Sequence, residues 1–254
     1  CPNMERWVGR VALVTGASSG IGAAVAERLV RQGMKVIGCA RNSDQIQELS
    51  SKLSSEKGEL LAMKCDLQKE EDILSMFKKI KEDHGAVDVC INNAGLAHNA
   101  PLLSGSTDHW KNMLEVNVLA LSICTREAYT LMKEKKIDDG QFIHINSVVG
   151  HIVPKAADVH FYSATKFAVR ALLDGLRNEI KPTKTKIRVC EISPGVVETN
   201  FRVRMSGQEH AEKAYGSMKC LQGEDIADAV ESVLKAPAHV EVHDMIIRPT
   251  EQRL

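Results

Sequence analysis

Apolar residues follow two alternating rhythms along this chain. Short runs, apolar almost throughout, lie at VALVT (11–15), KVIGCA (35–40), ELLAMKC (59–65), VDVCIN (87–92), QFIHIN (141–146), IRVCEI (187–192) and DMIIR (244–248). Between them, GIGAAVAERLVRQG, SDQIQELSSKL, EEDILSMFKKIKED, DHWKNMLEVNVLALSICTREAYTLMKEK, FYSATKFAVRALLDGLRNEI and EDIADAVESVLKA space apolar residues three and four apart. The first rhythm predicts buried strands and the second predicts amphipathic helices. Strands without polar alternation, separated by helices, imply a parallel sheet covered on both faces. With no repeat, low-complexity tract or linker, the expectation is α/β: one doubly wound, Rossmann-type domain over 1–254 with about seven strands. The stretch 196–222, VVETNFRVRMSGQEHAEKAYGSMKCLQ, breaks the alternation before a late helix. A substrate lid and an ordinary surface loop both fit that position.

Charge narrows the classes of partner. The 33 basic and 33 acidic residues cancel, which argues against nucleic acid or an anionic membrane as the main partner. Seven cysteines show no C-x-x-C pair and no metal-ligand spacing. Cys39, Cys90 and Cys190 lie in or beside strand-like runs, so they read as buried, reduced thiols. The opening CPNMERWVGR is polar and mixed in charge, and VALVTGA is too short and glycine-ended for a signal or anchor. A soluble cytoplasmic protein, without metal, is expected.

Candidate chemistry begins at TGASSGIG, residues 15–22, between the first strand and first helix. There Gly16 permits a tight turn, Gly20 lets backbone approach a pyrophosphate, and Gly22 allows close helix-to-strand packing. Ser18, Ser19 and Ile21 complete the turn, and the helix N-terminus offers N–H groups to phosphate. The spacing G-x-x-x-G-x-G departs from the usual G-x-G-x-x-G, so an ordinary turn remains the alternative. The second strand ends in Ala40, Arg41 and Asn42, where NAD-binding folds carry an acid. An arginine can pair with a 2′-phosphate, and the missing acid removes a repulsion, which favours NADP(H); the alternative is a solvated loop charge. Asp66 and Leu67 are placed to meet an adenine, although Asp66 could instead cap the helix beginning near Glu70. In FYSATK, Tyr162 and Lys166 stand one helical turn apart and share a face; a solvated helix start would look the same.

Taken with NNAG at 92–95, Asn117, a serine at 147 and S-P-G at 193–195, these motifs resemble the short-chain dehydrogenase/reductase family over nearly the whole chain. The resemblance implies reversible, NADP(H)-dependent reduction of a small-molecule carbonyl to an alcohol, with a ketosteroid or similar apolar compound as substrate. It implies Tyr162 as general acid/base, with Lys166 lowering its pKa and holding the nicotinamide ribose. Ser147 would polarise the carbonyl, and Asn117 would support a water joining Lys166 to solvent, or bond locally within its helix. Asn92 and Asn93 would brace the sheet and contact ribose, while Pro194, Gly195, Val197 and Thr199 would meet the nicotinamide. Relatives commonly place the serine thirteen residues before the tyrosine, which here is Val149; they also place it three before a glycine, which selects Ser147. Ser163 is the rival. His151 and His160 occupy no catalytic position of the family and read as loop or pocket residues. A homodimer or homotetramer is implied, with Ala168, Ala171, Leu172 and Leu176 fitting either subunit packing or the subunit's own core. A non-catalytic NADP-binding protein, and an epimerase or dehydratase with the same tyrosine and lysine, are the competing classes.

Overall fold

Every short apolar run forms a strand: β1 Val11–Thr15, β2 Lys35–Ala40, β3 Glu59–Lys64, β4 Val89–Asn92, β5 Gln141–Ile145, β6 Arg188–Pro194 and β7 Asp244–Ile247. The computed structural model describes residues 3–216 and 218–252. All seven strands pair in parallel in the order β3-β2-β1-β4-β5-β6-β7. The helices are α1 Gly20–Arg31, α2 Asp44–Lys52, α3 Glu70–His84, α4 Thr107–Leu114, α5 Leu121–Glu134, α6 His160–Ile180, α7 Asn200–Ser206, α8 Gln208–Tyr215 and α9 Gly223–Lys235. The single long helical pattern at 108–135 is thus two helices, joined by a π-helical turn over Glu115–Ala120.

Side chains alternate across the sheet and feed two cores. Val14, Val36, Ile91, Ile143 and Ile192 pack against α1, α2 and α9 through Leu29, Ile46 and Val230. Their strand neighbours Leu13, Ile37, Phe142 and Val189 pack against α3, α5 and α6 through Phe77, Leu131 and Leu173. Each fully buried Leu, Ile or Phe contributes about 1.5–3 kcal/mol relative to exposure. These two layers hold the sheet rigid, so that its C-terminal edge can carry a site.

The stretch 196–222 is more regular than its pattern suggests. It holds α7 and α8, broken at Gly207, whose φ of 84° suits glycine. Periodicity gives no sign of them because α7 buries no side chain, whereas α8 buries Ala211. Cys39, Cys90 and Cys190 are buried free thiols, as expected, and burial pushes Cys90 and Cys190 up to about 12. Among the described residues, no helix is long and apolar enough to cross a membrane.

Candidate active site

The chain leaves β1 toward β2 on one side, while β4 continues toward β5 on the other. The loops after β1 and β4 therefore diverge and leave a crevice at their C-terminal ends, where open α/β sheets bind ligands. Nearly all the sequence-predicted residues converge on this edge.

At the glycine turn, Gly16 and Gly20 have φ of 69° and 57°, the left-handed region that suits glycine. A Cβ on Gly22 would lie 2.3 Å from the Gly16 carbonyl oxygen and 2.5 Å from Asn93 Nδ2. The helix packs that closely against its own turn and the β4 loop, rather than against the strand. Gly20 differs from expectation too: a Cβ there would meet the Thr199 methyl at 3.0 Å, so its smallness admits the segment after β6. Ser18 and Ile21 lie half-buried in the turn, and Ser19 precedes α1 without a side-chain cap bond, leaving first-turn N–H groups for an external acceptor. Asn93 donates from Nδ2 to the carbonyls of Thr15 at 2.9 Å and Gly16 at 3.3 Å. Thr15 Oγ1 accepts from the N–H groups of Asn93 and Ala94, both at 3.0 Å. Thr15 escaped the sequence reading because a strand-end threonine carries no spacing signal.

Beyond β2, Arg41 is exposed and makes no ion pair among the described residues, and Asn42 Oδ1 accepts from the Asp44 N–H at 3.0 Å. Asp66 is not the cap of α3, a place held by Lys69; its carboxylate accepts from the Gln68 N–H at 3.2 Å in a local turn. Leu67 packs against the second core.

The other wall of the crevice comes from long-range contacts. Asn92 is buried and donates to Thr125 Oγ1 at 2.9 Å, tying β4 to α5. Asn117, in the π-helical turn, does not bond within its own helix: it accepts from the Leu96 N–H at 2.8 Å, and donates to the Leu96 carbonyl at 2.8 Å and Thr165 Oγ1 at 3.0 Å. One amide thus fastens the β4 loop to α6, and Thr165, to which the sequence pattern gives no role, is its anchor.

Ser147 follows β5, with its Oγ accepting from the Val149 N–H at 3.3 Å, and its side chain lies toward Tyr162, where it favours the phenolate. Val149 packs beside Tyr162 in an apolar cluster, while Ser163 donates to the Val159 carbonyl at 3.0 Å, so Ser147 is the serine facing the tyrosine. Lys166 is buried, donates to the Ile145 carbonyl at 3.1 Å, and places Nζ 5.8 Å from the Tyr162 ring centre. Burial lowers its pKa to about 8, against an opposing effect of Glu191. Burial raises the phenol above its ordinary value and Ser147 acts to lower it, while the Lys166 ammonium stands 5.8 Å from the ring centre.

The segment after β6 closes this wall. Pro194 ends the strand, and a Cβ on Gly195 would fall 2.1 Å from Gln252 Oε1, which accepts from the Val196 N–H at 3.0 Å. Val197 bridges Leu221, and Thr199 caps α7. Tyr215 of α8 donates to the Thr199 carbonyl at 2.7 Å, fastening α8 to the crevice. Phe161 stacks on Trp110 at 5.2 Å, and Phe201 tilts against Tyr162 at 5.7 Å. With Leu96, Ala97, Val149 and Met205 they make the mouth beside Tyr162 apolar. His160 bonds the Pro154 carbonyl, while His151 turns inward. Along α6, Leu176 packs into the second core, whereas Ala171 and Leu172 are exposed.

Known proteins share this fold. The family model described as short chain dehydrogenase matches residues 10–210. The chain is 58% identical to Dehydrogenase/reductase SDR family member 11 of Gallus gallus over 98% of this chain and 99% of that protein. It is 41% identical to the Farnesol dehydrogenase of Aedes aegypti, over 98% and 100%. Among solved structures, the closed form of serine dehydrogenase complexed with NADP+ aligns with a TM-score of 0.88 at 32% identity, covering 96% of each chain. Family match, sheet order and the residues gathered at the crevice agree, and the chain belongs to the short-chain dehydrogenase family.

Proposed function

We propose that this protein is an NADP(H)-dependent reductase of apolar carbonyl compounds, working reversibly, with Tyr162 as the proton donor. The observation that carries this reading is the buried Tyr162 phenol, with the Ser147 side chain beside it and Lys166 one helical turn away. A phenol kept protonated by burial is an acid awaiting an oxyanion. When bound, NADPH supplies the hydride.

The residues fit that cofactor. Open N–H groups at α1, the close-packed Gly16–Gly22 turn and the exposed Arg41 suit a pyrophosphate and a 2′-phosphate. Asp66 and Leu67 would flank the adenine, and Pro194, Gly195, Val197 and Thr199 would hold the nicotinamide. Ser147 Oγ would donate to the substrate oxygen as negative charge develops there, a place where one preorganised donor counts for about 10²–10³ in rate. Tyr162 would pass its proton to the same oxygen. Lys166, charged, would hold the ribose and favour the phenolate left behind, while Asn117 keeps the β4 loop and α6 in register. The apolar mouth formed by Trp110, Phe161 and Phe201 supports a bulky apolar substrate, such as a ketosteroid or terpenoid. Helices α7 and α8 would form the lid. Exposed Leu119, Phe167 and Leu172 fit a homodimer or homotetramer, and the reading includes a cytoplasmic location.

Purified protein with NADPH, followed by cofactor absorbance across ketosteroids, terpenoid aldehydes and ketones, diketones and quinones, tests this. Turnover of an apolar carbonyl is the expected result. Tight NADPH binding with no turnover across the panel would instead mark a non-catalytic nucleotide-binding protein.

A further inference from the structure

Behind Lys166 lies a buried polar chain that the proposed reaction does not use. Glu191 in β6 is fully buried, and its Oε1 accepts from Ser193 Oγ at 2.9 Å and lies 2.9 Å from His151 Nε2. His151 Nε2 is also 2.8 Å from Ser193 Oγ, and its Nδ1 accepts from Arg170. Arginine can only donate, so the imidazole hydrogen sits on Nε2 and points at the carboxylate. Glu191 Oε2 is buried without a hydrogen-bond partner among the described residues. A buried carboxylate missing half its partners is costly unless a nearby cation compensates it.

Register locates that cation. Ile192 lies beside Ile145, whose carbonyl binds Lys166 Nζ, and Glu191 faces α6, since its chain of bonds ends on Arg170 of that helix. Lys166 and Arg170 are one helical turn apart, so two cations share one side of α6 and Glu191 lies across from them. We propose that Glu191, oriented by His151, Ser193 and Arg170, is a positioning residue that keeps the Lys166 ammonium charged beneath the catalytic tyrosine. Burial opposes that charge and Glu191 favours it. The other ionisable groups packed around this pocket are His144 of β5, which burial holds uncharged near a pKa of about 3, and Arg177 of α6, bonded to the Val189 carbonyl and to Asp174. Glu241, His243 and Asp244 stand at the β7 rim. None of these supplies a second buried carboxylate.

The role given to Lys166 rests on the carbonyl-reductase reading, so the decisive measurement avoids turnover. Protein labelled with 15N-lysine, with the Lys166 side-chain resonance identified by Lys166→Met, is titrated by NMR. In wild type the midpoint should fall near 8. Glu191→Gln should lower it by about one pH unit, as loss of a nearby opposite charge does, and Glu191→Asp should restore it. If Glu191→Gln does not accumulate folded, the double variant Glu191→Met with His151→Leu removes the buried pair together and should give the same shift. The alkaline limb of kcat/KM should move with the midpoint, costing about tenfold in rate at pH 8.5 and little at pH 6.5. An unmoved midpoint, or an equal shift in Glu191→Asp, overturns the proposal. Loss of every carbonyl activity in wild type would strike the functional reading alone and leave the titration to decide this one.

Discussion

The two walls of the crevice are built by different physics. The glycine turn is mainly local: eight consecutive residues shape it through left-handed conformations at Gly16 and Gly20 and through Gly22, whose Cβ would strike the turn it follows, and Asn93 of the β4 loop pins it from outside. The opposite wall is assembled from distant parts of the chain, with Asn117 reaching Leu96 and Thr165, and Lys166 reaching Ile145. A local wall is governed by steric allowance and a composite wall by side-chain bonds. Substitutions should therefore fail differently on the two sides: loss of chemistry on the composite side, loss of fit and affinity on the local one.

The largest effect is expected on the composite side. Tyr162→Phe keeps the ring and its packing against Phe201 but removes the proton, so turnover should fall about 10³-fold, within the range for a lost general acid, with NADPH affinity kept. Steady-state rates beside a fluorescence titration of NADPH check both halves; substantial remaining activity on a ketone would mean that the acid lies elsewhere. Ser147→Ala should cost about 10²-fold or more, again with affinity kept. Ser163→Ala should change little, because that hydroxyl is occupied by the Val159 carbonyl. A dead Ser163→Ala beside an active Ser147→Ala would reverse the assignment.

On the local side, Gly22→Ala forces a methyl to 2.3 Å from the Gly16 oxygen. Overpacking of that kind costs about 1–3 kcal/mol. A lower urea midpoint and weaker NADPH binding should appear together, and an unchanged midpoint would show that the turn yields easily. The smallest effect sharpens cofactor choice. Arg41→Ala removes an exposed charge with no ion-pair partner among the described residues, so stability should hold while NADPH affinity drops about tenfold, NADH affinity remaining level. Equal weakening of both cofactors would assign the preference to another residue.

Much of this molecule was legible from its residues alone. All seven strands and five of the six helical patterns form where the apolar spacing places them, and the sixth forms as two helices, because burial on a sheet or beside one imposes periods that the sequence displays directly. The glycine turn was readable for a similar reason, since few other residues tolerate those angles or that approach. Helices α7 and α8 were not legible, having almost no buried stripe to reveal them. A local turn, not tertiary structure, takes the Asp66 carboxylate to Gln68 rather than to the cap of α3, whereas tertiary structure alone decided that Gly20 makes room for Thr199. It alone joined Asn117 to Thr165, and it drew His151, a loop residue by its surroundings in the chain, inward to Glu191 forty residues away. Such bonds leave no periodic trace: they depend on which strands become neighbours, and strand order is set when the two cores close on either face of the sheet.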